Sequence, residues 1–235
     1  MLAIFRRELN AYFKAPLGYI FLAIFFYFSA QFFTAVVLSQ SNQIAYIFTS
    51  MFTILIFAIP ILTMRLMSEE KRQKTDQALL TAPVSLGGII WGKFLAAFAL
   101  FGIGMLITVV YFIILSAMSE PQWSLFFGNL LGLILLSGAM ISIGLFISSA
   151  TESQMVAAIG TLAAMFIIFM LDSIAGMMPD ALSAVGDVIS QLSFMSRYND
   201  FTSGILDISN ILFFVSVIVV FNFLSVRILE KKRWS

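Results

Sequence analysis

Residues 15–64 read APLGYIFLAIFFYFSAQFFTAVVLSQSNQIAYIFTSMFTILIFAIPILTM, and no charged side chain occurs between Lys14 and Arg65. A helix needs about 20 mostly apolar residues to cross the hydrocarbon core of a bilayer, so this stretch is long enough for two crossings. The polar run Ser39-Gln40-Ser41-Asn42-Gln43 predicts a turn between them. We therefore predict membrane spans at 17–38 and 44–66.

The rest of the chain has the same character. Of its 235 residues, 61% are apolar and 11% are charged, and the mean hydropathy is +1.03. Soluble domains carry about 25% charged residues, so this composition excludes a soluble globular enzyme and favours a bilayer as the solvent. Further apolar blocks predict spans at 94–118, 124–149, 154–171 and 208–228. The predicted fold class is an all-α integral membrane protein with six transmembrane helices in one domain, 1–235.

Lysine and arginine are distributed unevenly between the two sides of these spans. Three of these residues precede the first span, five lie between Arg65 and Lys93, and four lie at or after Arg227. Cytoplasmic loops of membrane proteins carry an excess of basic residues. Placing both termini in the cytoplasm puts 12 of the 13 basic residues there and leaves only Arg197 outside. We predict a multi-pass protein of the plasma or inner cell membrane with both termini cytoplasmic.

Residues 1–15 are predicted to form an amphipathic helix in the headgroup layer, which ends at Ala15-Pro16 because proline disfavours helix at the preceding residue. Membrane lipid is its expected partner. The apolar stripe consists of Leu2, Phe5, Leu9 and Tyr12, and the polar stripe consists of Arg6, Asn10 and Lys14. The candidate residues of this interface helix are Phe5, Arg6, Arg7 and Leu9.

The longest predicted cytoplasmic segment is 67–93. Ser68 is positioned to cap a helix whose first turn carries Glu69 and Glu70, which suits the positive end of the helix dipole. Pro83 ends this helix, and Ser85 is positioned to cap the stretch that leads into the third span. Ala78, Leu79 and Leu80 give this polar helix an apolar tip, which favours contact with another protein. The alternative is that the whole segment is a solvated charged loop.

The segment 172–207 is predicted to form short extracellular helices that dip into the outer leaflet. Its five aspartates do not have the spacing of an EF-hand loop, which places oxygen ligands within about 12 residues. We therefore predict no metal site.

Several classes of chemistry lack their usual residues. The chain has no cysteine and no histidine, and its net charge of +1 gives no attraction to nucleic acid. Gly87–Lys93 fits G-x-x-x-x-G-K, but a phosphate-binding loop next needs Ser or Thr, and this chain has Phe94. We predict no catalytic, cofactor-binding or metal-binding residue, and no enzymatic activity of its own.

Two groups of residues indicate a family. Ser68-Glu69-Glu70-Lys71-Arg72, Leu79-Leu80-Thr81-Ala82-Pro83-Val84-Ser85 and Gly92-Lys93-Phe94-Leu95-Ala96 resemble the cytoplasmic signature of ABC-2 type permeases. The chain end, from Phe201-x-x-Gly204-x-x-Asp207 through Phe213-Phe214 to Lys232-Arg233-Trp234, resembles the gliding-motility-like branch of that family. The family usually has Gly-Thr where this chain has Lys74-Thr75, and Glu where it has Gln77.

The resemblance implies a transmembrane subunit of an ABC exporter, with ATP and magnesium bound by two separate ATPase subunits and a second permease subunit completing a homo- or heterodimer. It implies that 68–83 contains the coupling helix that contacts the ATPase. The expected coupling residues are Glu69, Glu70, Arg72, Thr75, Leu79, Leu80 and Pro83. The uncharged, aromatic-rich spans favour a hydrophobic or amphipathic substrate, whose path the sequence does not identify. The alternative function is an ion-coupled secondary carrier or a channel.

Overall fold

The computed structural model describes residues 1–39, 44–75, 84–118, 123–177 and 183–234. Every regular element in these ranges is an α-helix. In chain order they are α1 (Leu2–Lys14), α2 (Pro16–Leu38), α3 (Ile44–Thr63), α4 (Ser68–Arg72), α5 (Leu86–Met118), α6 (Trp123–Ala150), α7 (Gln154–Gly176), α8 (Ser183–Leu192), α9 (Phe194–Thr202) and α10 (Ile208–Trp234).

Six helical stretches in these ranges are long and apolar enough to cross a bilayer, which confirms the predicted all-α membrane class. They are α2, α3 with its extension through α4, α5, α6, α7 and α10. The helix α5 begins eight residues before the predicted third span and contains 33 residues. At 1.5 Å per residue it is about 50 Å long, which exceeds the ~30 Å hydrocarbon core, so one end of α5 extends beyond the bilayer.

Local sequence signals set two of the helix boundaries as predicted. Ala15 has extended backbone angles (φ −97°, ψ 154°) between α1 and α2, and Pro16 is the first residue of α2. Proline fits this position because its missing N–H has no partner in a first helical turn. At the start of α5, the hydroxyl of Ser85 accepts a hydrogen bond from the N–H of Gly88 at 3.2 Å.

The helix α6 lies at the centre of the bundle. Its most apolar window is 67% buried, whereas the corresponding windows of α7 and α10 are each 17% buried. Glycines let neighbouring helices approach α6 closely. A Cβ atom on Gly144 would lie 2.3 Å from Oγ1 of Thr63, and one on Gly132 would lie 2.6 Å from Cβ of Phe201. These glycines therefore pack helices of this chain against each other.

Both chain ends lie at the same end of the bundle. Ile4 of α1 packs against Gly92 near the start of α5. Near the C-terminus, Nζ of Lys232 lies 3.9 Å from Oε1 of Glu152, in the turn between α6 and α7. We call this the basic end, because α1 and the α3–α4 turn bring their arginines to it. The short helices α8 and α9 precede the last span, and α9 carries Arg197 beside Asn210, at the start of α10.

Candidate functional site

Four charged side chains at the basic end form a closed ring that joins α1, α4 and α5. Nη2 of Arg7 lies 2.6 Å from Oε1 of Glu8 and 2.6 Å from Oε1 of Glu70. Nζ of Lys93 lies 3.1 Å from Oε1 of Glu8 and 3.0 Å from Oε2 of Glu70. Each carboxylate thus contacts both cations. We call Arg7, Glu8, Glu70 and Lys93 the charged ring.

Lys93 is the buried member of the charged ring. Its side chain is 1% exposed, and its ammonium also donates a hydrogen bond of 2.6 Å to the carbonyl oxygen of Leu66. The carboxylates of Glu8 and Glu70 pair with the same ammonium by charge, and Oε2 of Glu70 makes no hydrogen bond within the described residues. A buried charge is tolerated when it is paired and hydrogen-bonded in this way. The G-x-x-x-x-G-K pattern therefore has a structural use: Gly92 admits α1, and Lys93 holds it.

Arg7 is the exposed member of the charged ring, with half of its side chain accessible to solvent. Partial burial lowers the pKa of Arg7, but the hydrogen bonds and charges of Glu8 and Glu70 outweigh this effect, so the pKa is raised overall. Arg7 is therefore charged at physiological pH.

Glu69 of α4 forms a second network, next to the charged ring. Its Oε2 is paired with Nε of Arg65 and accepts a hydrogen bond from Nε2 of Gln154 at 2.7 Å. Its Oε1 accepts a hydrogen bond from Nε2 of Gln73 at 2.7 Å. Because Gln154 is the first residue of α7, this network joins α4 to the start of the fifth span.

The last turn of α6 holds the beginning of α4. The hydroxyl of Ser148 accepts hydrogen bonds from the backbone N–H groups of Met67 at 3.1 Å and Ser68 at 3.2 Å. The ammonium of Lys71 donates to the carbonyl oxygen of Ser149. The predicted cap was wrong: Ser68 is itself the first residue of α4, and its hydroxyl donates to the carbonyl oxygen of Met64. Ser148 supplies from another helix the acceptor that the sequence suggested would be local.

Lys74, two residues after the end of α4, has an unusual backbone conformation. Lys74 has φ +56°, the left-handed region that glycine adopts at little cost. The N–H of Thr75 donates to the carbonyl oxygen of Glu70 at 2.9 Å, and the N–H of Lys74 donates to that of Lys71 at 3.1 Å. This is the geometry of a helix end closed by a left-handed residue. A glycine would adopt this conformation at lower cost than lysine.

A cleft of about 350 Å³ opens beside both networks, between α1, the start of α2 and the α3–α4 turn. Tyr12 forms part of its wall and donates a hydrogen bond of 2.8 Å to the carbonyl oxygen of Leu62. Burial raises the pKa of Tyr12, and the negative charge of Glu8 adds to the increase while the positive charge of Arg65 opposes it. The tyrosine is therefore neutral at physiological pH.

The structure brings part of the predicted coupling segment into these networks. Glu69 and Glu70 are central to them, Thr75 lines the cleft, and Arg72 is exposed. Leu79, Leu80 and Pro83 lie outside the described residues. The ring partners Glu8 and Lys93 were not among the predicted site residues, because no local pattern connects residues so far apart in the chain.

The interface helix differs in part from its predicted pattern. Arg7 belongs to the charged ring, Arg6 is exposed, and Phe5 and Leu9 are half-buried. The most buried residues of α1 are Ile4 and Tyr12, whereas Leu2 is 62% exposed. Ile4, which packs against Gly92 of α5, was not part of the predicted apolar stripe, and the exposed Leu2 remains a predicted lipid contact.

Comparison with known families finds a match over most of the chain. The family model for the ABC-2 family transporter protein matches residues 59–234, which covers three quarters of the chain. This range includes α4, α5 and every residue of the two networks except Arg7 and Glu8, which precede it. A search of the curated proteins found no match.

Proposed function

Because the chain belongs to the ABC-2 family of transporter proteins, we propose that it is the transmembrane permease subunit of an ATP-driven exporter. Proteins of this family are membrane components of transporters, and membership implies association with an ABC ATPase. We propose that two copies of the ATPase bind ATP and magnesium and that a second permease subunit completes the transporter as a homo- or heterodimer. The similarity of the chain end supports membership of the gliding-motility-like branch.

The basic end is proposed to face the cytoplasm. The exposed Arg6 and Lys14 of α1 lie there, together with the arginines of the α3–α4 turn and the basic C-terminus. The excess of basic residues on the cytoplasmic side supports this orientation in the plasma or inner membrane. It places both termini and α4 on the side where ATP is available.

The observation that carries the coupling role is the pair of networks formed by the adjacent residues Glu69 and Glu70 of α4. Glu70 joins α4 to α1 and α5 through the charged ring, and Glu69 joins it to α7 through Gln154. An ATPase that contacts 68–83 and displaces this segment would pull on three parts of the bundle at once. Packed helices respond to such displacements by moving as rigid bodies. The spans would thus tilt and shift the substrate path between the two sides.

The proposed substrate is hydrophobic or amphipathic. The predicted first span, 17–38, is rich in phenylalanine and tyrosine, and the two charged networks lie at the basic end of the bundle. Intramembrane charges mark the pathways of many ion-driven carriers, whereas apolar and aromatic walls suit apolar cargo.

The test is purification of the full-length, tagged chain from its native membranes in mild detergent. We expect an ABC ATPase to co-purify and the eluate to hydrolyse ATP. Absence of any ABC ATPase from the eluate would overturn the proposal, and ion-driven flux by the chain alone in liposomes would favour the ion-coupled carrier. For the coupling role, Glu70→Gln is expected to lower the ATP hydrolysis of the purified complex several-fold. The matched control Glu230→Gln removes an exposed ion pair with Arg227 and should leave it unchanged.

A further inference from the structure

The cleft beside the charged ring has walls of two kinds. Ala15 and Leu17 line the side where α1 meets the first span, so this side lies at the boundary of the hydrocarbon core. Charged side chains line the side that faces the basic end. At about 350 Å³, the cleft is at the lower end of the range of small-molecule sites, about 300–1,000 Å³. The cleft is thus apolar where the acyl chains of a phospholipid would lie and charged where its headgroup would lie.

The charged wall has no net formal charge. Three cations, Arg7, Arg65 and Lys93, face three carboxylates, Glu8, Glu69 and Glu70. A simple anion would be repelled by the carboxylates, and a simple cation would be repelled by the basic groups. A zwitterionic group that carries both signs fits this wall best.

Two groups in the wall retain hydrogen-bonding capacity towards a ligand. Nε of Arg65 is paired with Glu69, but its two Nη groups have no partner among the described residues, and the side chain is 41% exposed. All contacts of Glu8 in the described residues involve Oε1, so its Oε2 is a free acceptor there. Glu8 and Arg65 both line the cleft, so the free donor and the free acceptor belong to the same cavity.

We propose that this cleft binds the phosphoethanolamine headgroup of a phospholipid. The planar guanidinium of Arg65 matches the phosphate, as guanidinium groups commonly do through paired hydrogen bonds. The primary ammonium donates to Oε2 of Glu8, which a quaternary choline group cannot do because it has no N–H. The acyl chains pass Leu17 into the bilayer. The bound lipid would fill the space between α1 and the α3–α4 turn and thereby support the interface helix.

This site can be tested on the purified full-length chain alone, so its outcome is independent of the proposed ATPase. The chain is incubated with equal amounts of phosphatidylethanolamine, phosphatidylcholine and phosphatidylglycerol that share the same acyl chains, and retained lipid is measured by native mass spectrometry. We expect phosphatidylethanolamine to be retained about tenfold over the other two, since each charge-assisted hydrogen bond supports a difference of that order. Equal retention of the three lipids, or preference for phosphatidylglycerol, would overturn the proposal.

Two pairs of variants locate the binding. Ala11→Phe fills the cleft from the exposed face of α1, and Ala3→Phe places the same side chain on an exposed part of α1 outside the cleft. Arg65→Gln removes the phosphate ligand, and Arg6→Gln removes an exposed arginine outside the cleft. Ala11→Phe should abolish the preference, and Arg65→Gln should lower the retention of all three lipids because each carries a phosphate. Ala3→Phe and Arg6→Gln should leave both retention and preference unchanged. Equal loss in both members of the alanine pair would refute the location.

A further arm separates a lipid from a soluble compound with the same headgroup. Glycerophosphoethanolamine, which lacks acyl chains, is added in competition with the lipid. We expect little displacement, because the apolar wall at Leu17 contributes only with acyl chains present. Displacement at equal concentration would show that the headgroup alone is recognised, and the lipid assignment would then be wrong.

Discussion

Replacing the buried lysine of the charged ring tests whether the ring holds the basic end together. Lys93→Met keeps the length of the side chain but removes an ammonium that is 1% exposed, donates one hydrogen bond to Leu66 and pairs with two carboxylates. Removing one partner of a buried ion pair costs about 3–5 kcal/mol. Glu8 and Glu70 are 15% and 16% exposed and keep Arg7, so water and the guanidinium compensate in part. We therefore expect a loss of about 3 kcal/mol.

The measurement is unfolding of the full-length chain in mixed micelles by titration with a denaturing detergent. Tryptophan fluorescence reports the transition, and Trp91 lies two residues from the substitution. Arg7→Gln should cost about 1 kcal/mol or less, because this ring member is half exposed and exposed ion pairs contribute little. Lys14→Met, at an exposed position of α1, is the matched control and should change stability by less than about 0.5 kcal/mol.

A double variant makes the result specific to the ring. Combining Lys93→Met with Glu70→Gln removes one cation and one facing carboxylate, so the combined cost should be at least about 1 kcal/mol smaller than the sum of the two single costs. If Lys93→Met costs no more than Lys14→Met and the two ring substitutions are additive, the reasoning is refuted. The ring would then be a set of solvated contacts without a stabilising role.

Three further predictions, one of them with a control substitution, can be measured by the same titration. Gly144→Ala should destabilise by about 1–3 kcal/mol because its Cβ would lie 2.3 Å from Oγ1 of Thr63, whereas Gly102→Ala, with no atom within 4 Å, should be neutral or stabilising by up to about 1 kcal/mol; equal effects would contradict the close approach. Lys74→Gly should stabilise by about 0.5–1 kcal/mol by relieving the left-handed backbone at φ +56°, and a loss of stability would show that the lysine has another role. Tyr12→Phe should cost about 1 kcal/mol at pH 8. Burial raises the pKa of Tyr12 in the folded protein, so the contribution of its hydroxyl to the free energy of unfolding is complete below the unfolded pKa of about 10. Above that pH the tyrosine ionises in the unfolded chain but not in the folded one, and the contribution decreases. The wild type should therefore lose its advantage over the variant near pH 11, and a constant difference would contradict this.

Some features of the fold followed from short stretches of sequence. The break at Ala15-Pro16 was predicted because proline restricts the residue before it, and the Ser85 cap was predicted because a cap needs only a side chain and the N–H groups of the next turn. The same local reasoning failed at Ser68. There the acceptor for the first N–H groups of α4 is Ser148, which belongs to another helix.

The site was predictable in part. Glu69 and Glu70 were expected in a coupling segment, and both occupy the networks that hold α4. Their partners Lys93 and Gln154 were not expected, because each lies far along the chain from α4. Lys93 was placed at the end of a loop, but α5 begins at Leu86, and the extended helix carries this lysine to Glu8 and Glu70.

The sequence by itself determined that this protein is a helical membrane protein with six spans. Hydropathy adds up over local windows, so a long apolar run specifies a span wherever the rest of the chain lies. Only the tertiary structure decided which charges meet at the basic end and that a cleft with two kinds of wall opens beside them. Ion pairs and clefts depend on where three elements converge, and the spacing of residues within any one element does not contain that information.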